Sequence, residues 1–437
     1  MARKRSGSTK AARASSAFDA LVEVRLDDRA DRPVVGRIAQ RGYDIFFEYD
    51  GSFLATGLEI SPLGVPLRSG LYRDPDRVFA GLPGVFADSL PDGWGLRLMD
   101  RDFAKRGMNP ATVTPVERLQ AVGTRAMGAL TYHPADDEDT PPLMLDLDEL
   151  AEQAERIHAG SAEDVLPALL QAGSSPAGAR PKVLVDYDPA TGEMRSGAAD
   201  ILSGHRPYLV KFPTLEDGKD AGAVEMAYAA MARGAGVIMP KTMLFETRDG
   251  RRCFGVERFD RVVPTGEASH WERRHVHTLG GLLHASHREF GATYQHYLDA
   301  ARSLTRDQRA VVQAFRRMVF NVLAHNRDDH VKNFAFLMDP DGTWRLTPAY
   351  DLTYTDGPNG EHSMMIGTEG ARPTMANFLA VGAAASIPVA DVQVVVDEVA
   401  GAVGHWATHA AAFDIRSATR RRIGAAIARA RDDALTR

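Results

Sequence analysis

The chain has 437 residues, 44% of them apolar and 25% charged, and a net charge of −6. This is ordinary soluble-globular composition, long enough for roughly two or three core-forming units or one bilobal enzyme, and its negative balance gives no overall nucleic-acid footprint. A single cysteine, Cys253, excludes a disulfide framework within the chain and fits a reducing, cytoplasmic setting.

Residues 1–18 form a basic, small-residue stretch that begins Met1-Ala2-Arg3-Lys4-Arg5. No apolar core follows, which argues against a secretory signal; a disordered solubilising tail, a transit-like segment and a DNA-touching arm stay open. From 21 to 58, alternating runs at 21–26, 34–38, 43–49 and 53–55, broken by turns such as Asp50-Gly51, predict an antiparallel meander. A helix is expected over 94–106. The acidic, proline-rich stretch 135–148 reads as a surface connection, and 149–172 as helical. After the Gly/Ser-rich loop 173–180, strands are expected at 182–186, 208–212, 242–246 and 253–257, with a helix over 221–234.

Beyond about residue 258 the periodicity turns helical, at 277–287, 294–303, 306–325, 390–402 and 417–435. The most apolar region, 378–395, is interrupted by Ser386, Pro388 and Asp391 and cannot span a bilayer, so no membrane association is expected. The order is a mixed α/β part followed by a mostly helical part: an α+β, bilobal fold with a cleft at the junction, where ligands favour binding. The divisions read 1–18, 19–135, 136–257 and 258–437.

The most informative motif is Asp328-Asp329-His330-Val331-Lys332-Asn333, with an acid five positions before an amide. A strand-like run, the turn Asp339-Pro340-Asp341-Gly342 and a return strand lead to Asp351. This is the layout of a phosphoryl-transfer loop, in which one carboxylate orients the acceptor hydroxyl while an amide and a second carboxylate hold magnesium. On residue chemistry alone, His330 contacts phosphate or braces the loop, Lys332 neutralises phosphate or is solvated or bracing, and Asp329 is exposed. Lys211, inside an apolar strand, suits the α/β-phosphates, and Glu225 on the next helix is its candidate partner.

At this point the residues resemble a family. Ser175-Pro176-Ala177-Gly178-Ala179-Arg180-Pro181-Lys182, Val210-Lys211-Phe212-Pro213, Val256-Glu257-Arg258-Phe259-Asp260-Arg261 and the Asp328–Asn333 block with Tyr350-Asp351-Leu352 occur in the order of the HipA family. These are toxin-type serine/threonine kinases with a protein-kinase-like fold, from bacterial toxin–antitoxin pairs; the likeness covers nearly everything after the tail, with 19–135 as the N-terminal subdomain.

The resemblance implies that Asp328 is the catalytic base, that Asn333 and Asp351 bind Mg2+, and that Lys211 contacts the phosphates of ATP. It further implies that Glu257 and Phe259 meet the adenine through their backbone with Arg258 between them. The loop Ala177, Gly178, Ala179, Arg180, Pro181, Lys182 would cover the triphosphate, and His330 and Tyr350 would line the site. Ser175, or Ser174, would be autophosphorylated to silence the kinase. The implied partners are a protein substrate, typically an aminoacyl-tRNA synthetase, and a small, separately encoded DNA-binding antitoxin. The chain shows no obvious helix-turn-helix of its own, so DNA is reached only through that partner.

Departures are Ala177 where many members have a second serine, Arg180 where they have glutamine, and His275–Gly281 where a glutamine-and-acid motif is common. A small-molecule kinase of the aminoglycoside or choline type, and a catalytically silent kinase fold in a repressor complex, remain as other readings.

Overall fold

A computed structural model describes residues 19–135, 141–161, 167–173, 178–197, 201–263, 271–286 and 291–435. The N-terminal subdomain opens with β1 (Ala20–Leu26), β2 (Val34–Arg41) and β3 (Asp44–Tyr49), paired antiparallel as the alternation predicts. The fourth run, at 53–55, is not a strand. Asp50 Oδ1 accepts from the N–H and the hydroxyl of Ser52, at 2.9 and 2.7 Å, and caps the single-turn helix α1 (Gly51–Leu54).

The free edge of β1 is taken instead by β4 (Leu130–His133). That strand arrives after α2 (Gly84–Ala87), α3 (Gly93–Lys105) and α4 (Pro115–Val122), and the sheet order is β3-β2-β1-β4.

The stretch 149–172, expected to be helical, holds α5 (Leu147–His158) and α6 (Pro167–Gly173). Then β5 (Lys182–Tyr187), β6 (Met194–Ser196), β7 (Arg206–Lys211), β8 (Thr242–Glu246) and β9 (Arg252–Glu257) form an antiparallel sheet of order β6-β5-β7-β9-β8. Its core contains Val183, Val185, Val210, Phe245 and Cys253, closed by Trp94 and Leu98 of α3.

The intervening helix α7 (Ala221–Gly234) buries Ala227, Tyr228 and Met231 in the core of the following helical part, beside Phe315 and Phe320. Its Tyr228 hydroxyl donates to the Ala324 carbonyl at 2.6 Å. One helix therefore joins the two lobes.

After a short ribbon, β10 (Arg261–Val262) with β11 (Glu272–Arg273), the helix expected over 277–287 is absent. The chain forms β12 (His275–Thr278) and then only a one-turn helix, α8 (Leu279–Leu282). The two histidines recur with period 2, both facing the N-terminal subdomain. His275 Nε2 lies 2.8 Å from the Ile60 carbonyl, and His277 lies between Asp88 (Nδ1, 2.6 Å) and the Ser61 hydroxyl (Nε2, 2.8 Å). Asp–His–Ser connectivity is that of a nucleophile relay, but Ser61 is wholly enclosed, so this set is a strut between subdomains.

The helical lobe is built from α9 (Tyr294–Thr305), α10 (Gln308–Leu323), α11 (Met375–Ala384), α12 (Val389–Gly404), α13 (Trp406–Ala412) and α14 (Ser417–Leu435). Between α10 and α11, β13 (Ala335–Met338) and β14 (Trp344–Leu346) make the expected hairpin and pair with β12. Among the described residues no helix is long and apolar enough to cross a membrane.

A buried charge cluster fixes the lobe junction. Asp260 accepts from Arg258 (3.0 and 2.8 Å), Arg261 (2.7 Å) and the Gly128 N–H of the N-terminal subdomain (2.7 Å). Burial alone would raise its pKa; the two guanidinium groups outweigh that and hold it well below the usual carboxylate range. Asp260→Ala leaves two buried arginines without their counter-ion and should cost about 3–5 kcal/mol in urea unfolding. A loss within the scatter of surface substitutions would refute this role.

Candidate active site

The site is built where α10 gives way to β13. His325 adopts φ +54°, and the Asn326 amide donates to Asn321 at 3.0 Å, which turns the chain out of the helix. Asp329, expected to be exposed, is completely buried. It accepts from the Tyr294 hydroxyl (2.6 Å), His362 Nδ1 (2.7 Å) and the Ser363 N–H (2.8 Å). With one carboxylate anchored inward, its neighbour Asp328 is left exposed in the cleft.

Desolvation by the cleft walls raises the Asp328 pKa; His330 opposes this, and the charges of Asp351 and Asp329 add to it. His330 Nε2 lies 3.9 Å from Asp328 Oδ1, while its Nδ1 accepts the Lys332 N–H at 3.3 Å. That bond assigns the ring proton to Nε2, on the Asp328 side. The Asn333 amide donates to the Asp328 carbonyl at 2.7 Å, which leaves its Oδ1 as an acceptor. After the hairpin, the Tyr350 hydroxyl donates to the Lys332 carbonyl at 2.7 Å, so the returning chain lies against the loop. Asp351 follows with φ +55°, a conformation that a non-glycine residue holds only under constraint.

That constraint is Lys211. Its ammonium donates to Asp351 Oδ1 and to Glu225 Oε2, each at 2.5 Å. Burial alone would lower the lysine pKa, yet Asp351 and Glu225 hold it well above its ordinary value. Asp351 is pulled well below the carboxylate range, because Lys211 and Lys182 outweigh its burial. Glu225 is raised, since burial there exceeds the help from Lys211. Lys182 sits opposite Lys211 in the β5–β7 register, and burial lowers its pKa against the opposing charges of Asp351, Asp92 and Glu225.

At the lobe junction, Glu257 accepts from Arg206 at 3.1 Å, and the Phe259 ring lies 5.4 Å from the Tyr350 ring. The Arg258 side chain is committed to Asp260, so this residue has only backbone to offer a ligand.

Ser174, Ser175 and Ala177 lie outside the described residues. The rest of the loop shows an unforeseen partner. Asp92, at the start of α3, accepts from the Gly178 N–H through Oδ1 and from Lys332 Nζ through Oδ2, the latter at 2.7 Å. Trp94 donates its N–H to the Gly178 carbonyl (2.9 Å) and its indole N–H to the Lys182 carbonyl (3.0 Å). Gly93, at φ +44°, is required between them, because a Cβ there would fall 2.7 Å from both Ala179 Cα and the Gly178 oxygen. Lys332 is therefore a brace. Arg180 pairs with Asp217 at 2.8 Å, and Pro181 accepts the Phe212 N–H at 2.9 Å. Pro91-Asp92-Gly93 shows in sequence only as a turn.

This donor set fits a nucleotide and a hard cation: one buried and one part-buried ammonium group, Lys182 and Lys211, for phosphate, with a carboxylate and an amide oxygen for magnesium.

The HipA-like C-terminal domain family matches residues 174–407, more than half of the chain, and the HipA N-terminal domain family matches 24–133. No curated protein sequence matches. Among solved structures, the chain is similar to HipA of Shewanella oneidensis MR-1, from a toxin–antitoxin complex with HipB and operator DNA. The identity is 17% and the TM-score 0.69, over 94% of this chain and 96% of that one. The Helicobacter pylori proinflammatory kinase CtkA matches at 11% identity and TM-score 0.37, over 54% of this chain and 90% of that one, too low to carry an argument. The first likeness shows the bilobal, protein-kinase-like α+β fold through both lobes. With both domain families matched in order, the chain belongs to the HipA family, and its cleft is that of a HipA-type kinase.

Proposed function

We propose that the chain is an ATP- and magnesium-dependent serine/threonine protein kinase acting as a HipA-like toxin. The observation that carries this reading is Lys211 held between Glu225 and Asp351 at 2.5 Å each, with Asp328 exposed in the same cleft. Lys211 and Lys182 suit the phosphates, and Asn333 Oδ1 with Asp351 suits the magnesium ion. Glu257 and Phe259 are the backbone contacts for adenine. Bound magnesium-ATP would supply the phosphoryl group and the divalent charge that offsets it. Asp328 orients the acceptor hydroxyl and takes its proton; His330 keeps its N–H toward that carboxylate.

The family resemblance points to a translation component of the aminoacyl-tRNA synthetase class as the substrate. Autophosphorylation is assigned to Ser175, with Ser174 as the alternative. A phosphate there adds roughly two negative charges beside the triphosphate site and opposes nucleotide binding. The HipB partner of the Shewanella protein supports a small, separately encoded DNA-binding antitoxin for this chain, with DNA reached through it. The kinase works in the cytoplasm, where ATP and such a target meet.

In cell lysate supplied with protein, magnesium and ATP, phosphopeptide mass spectrometry should report new phosphoserine or phosphothreonine on a translation protein. Asp328→Asn should lower that signal roughly 10²- to 10⁴-fold with folding intact. Phosphorylated sugars or amines without any phosphoprotein would sink the protein-kinase reading. Ser175→Ala should abolish loop phosphorylation and leave transfer to other proteins running.

Lys211→Met leaves Glu225 and Asp351 facing each other and should cost about 3–5 kcal/mol at neutral pH. Glu225 already titrates above its ordinary value with Lys211 present. Without that cation its pKa rises further, so protonation on acidification relieves the repulsion. The stability gap to wild type, measured by urea unfolding, should therefore shrink between neutral and mildly acidic pH; an unchanged gap would count against the ion triangle.

A further inference from the structure

We infer that Asp92 is a positioning residue through which the N-terminal subdomain ties the glycine-rich loop to the catalytic loop, completing the cleft from outside it. Only the kinetic consequence of this inference rests on the kinase reading above.

Three parts of the chain meet at one carboxylate. Gly178 belongs to the loop before β5, Lys332 to the loop before β13, and Asp92 is the N-cap residue just before α3. Both carboxylate oxygens are engaged, one by each loop. Asp92 and Lys332 side chains are each 18% exposed, so their pairing is screened less than a surface ion pair.

The grip is doubled by Trp94. This fully buried residue, packed in the core under β5 and β7, holds the Gly178 and Lys182 carbonyls. Gly178 is therefore engaged at both its N–H and its C=O by the start of one helix, and Gly93 allows the backbones to approach. A carboxylate bridging a loop N–H and an ammonium is also how a phosphate oxygen would be held. Trp94 decides between a phosphate surrogate and an organiser, because it fixes the same loop residue, and Lys182 beyond it, by bonds that no phosphate would replace. Asp92 also adds negative charge near Lys182, whose own burial disfavours its ammonium.

The test is amide hydrogen exchange on the full chain, comparing wild type with Asp92→Asn and Asp92→Glu. In Asp92→Asn, exchange over 178–182 and 328–333 should accelerate about tenfold while the β1–β4 sheet is unchanged. Asp92→Glu should recover part of the protection. Unchanged exchange at both loops in folded Asp92→Asn overturns the inference, whatever the protein's activity. If that variant fails to fold, Lys332→Met removes the same pair from the other side and should loosen 328–333; protection there equal to wild type overturns the inference.

In phosphate transfer, Asp92→Asn should lower kcat about tenfold with KM for ATP within about twofold. The Asp92→Asn/Lys332→Met double variant should lose no more than the weaker single one. A fall in KM with kcat intact would make Asp92 a phosphate surrogate and overturn the organiser role. Wild type that transfers no phosphate, yet shows the expected exchange differences, would remove the kinase reading and leave the tether supported.

Discussion

An ammonium between two carboxylates, away from bulk water, holds this molecule's lobes in their relation to each other. Lys211 comes from the central strand of the five-stranded sheet, Glu225 from the helix that packs into the second lobe, and Asp351 from the chain returning after the hairpin. Each attraction is on the order of 4 kcal/mol at roughly 4 Å in an effective dielectric of about 20. Desolvation costs several kcal/mol per ion. The balance is close to even, so the cluster contributes little net stability. What it imposes is selectivity among arrangements: any other packing of the lobes strands at least one buried charge. The left-handed backbone of Asp351 persists for the same reason, since strain of about 1–3 kcal/mol survives only where its surroundings over-determine it.

The same logic separates the two adjacent acids of the catalytic loop. Asp329 receives three donors and becomes interior scaffold, whereas Asp328 receives none of them and keeps its carboxylate exposed. Sequence chemistry alone assigns the pair the opposite way for Asp329, because an acid beside a functional acid in a polar loop looks solvated. Its partners, Tyr294, His362 and Ser363, lie more than thirty positions away.

Where local pattern and tertiary packing agree, the chain is legible. The helix at 221–234, the strand at 242–246, the helix at 417–435 and the hairpin before Asp351 follow from periodicity, turn residues and length. Where a distant partner decides, it is not. His275 and His277 alternate like a strand but lie in a helical-looking context, and their acceptors come from residues 60–88. The run 53–55 is apolar enough for a strand, but one Asp50 cap turns it into a helix, and the strand that completes the sheet lies some 75 positions on. Asp92 and Lys332 are 240 positions apart, so nothing local to either announces the other. The motif Asp328–Asn333 with Asp351 stands out in sequence by residue types at fixed spacings; its supports are set by packing and carry no such spacing.

The N-terminal subdomain is bound to the rest by polar groups that cannot be left unpaired. Asp88 and Ser61 meet His277, the Gly128 N–H meets Asp260, and Asp27 meets Arg273 at 3.3 Å. These fasten the subdomain to the start of the helical lobe, while Trp94 and Leu98 of α3 also pack into the core of the five-stranded sheet. Two further contacts tie the sheet and its leading loop to the other parts, Lys211 to Asp351 and Gly178 to Asp92, both charge-assisted bonds that any separation would have to release. On the ATP reading, the two losses are not equivalent. A triphosphate brings negative charge to Lys211, which exchanges one anionic partner for another at little cost. It brings no acceptor to the outer side of the Gly178 peptide, where Asp92 and Trp94 hold it. Of the two contacts, the ligand-sensitive one on that reading is therefore the lysine, and the ligand-independent one is the grip of α3 on the loop.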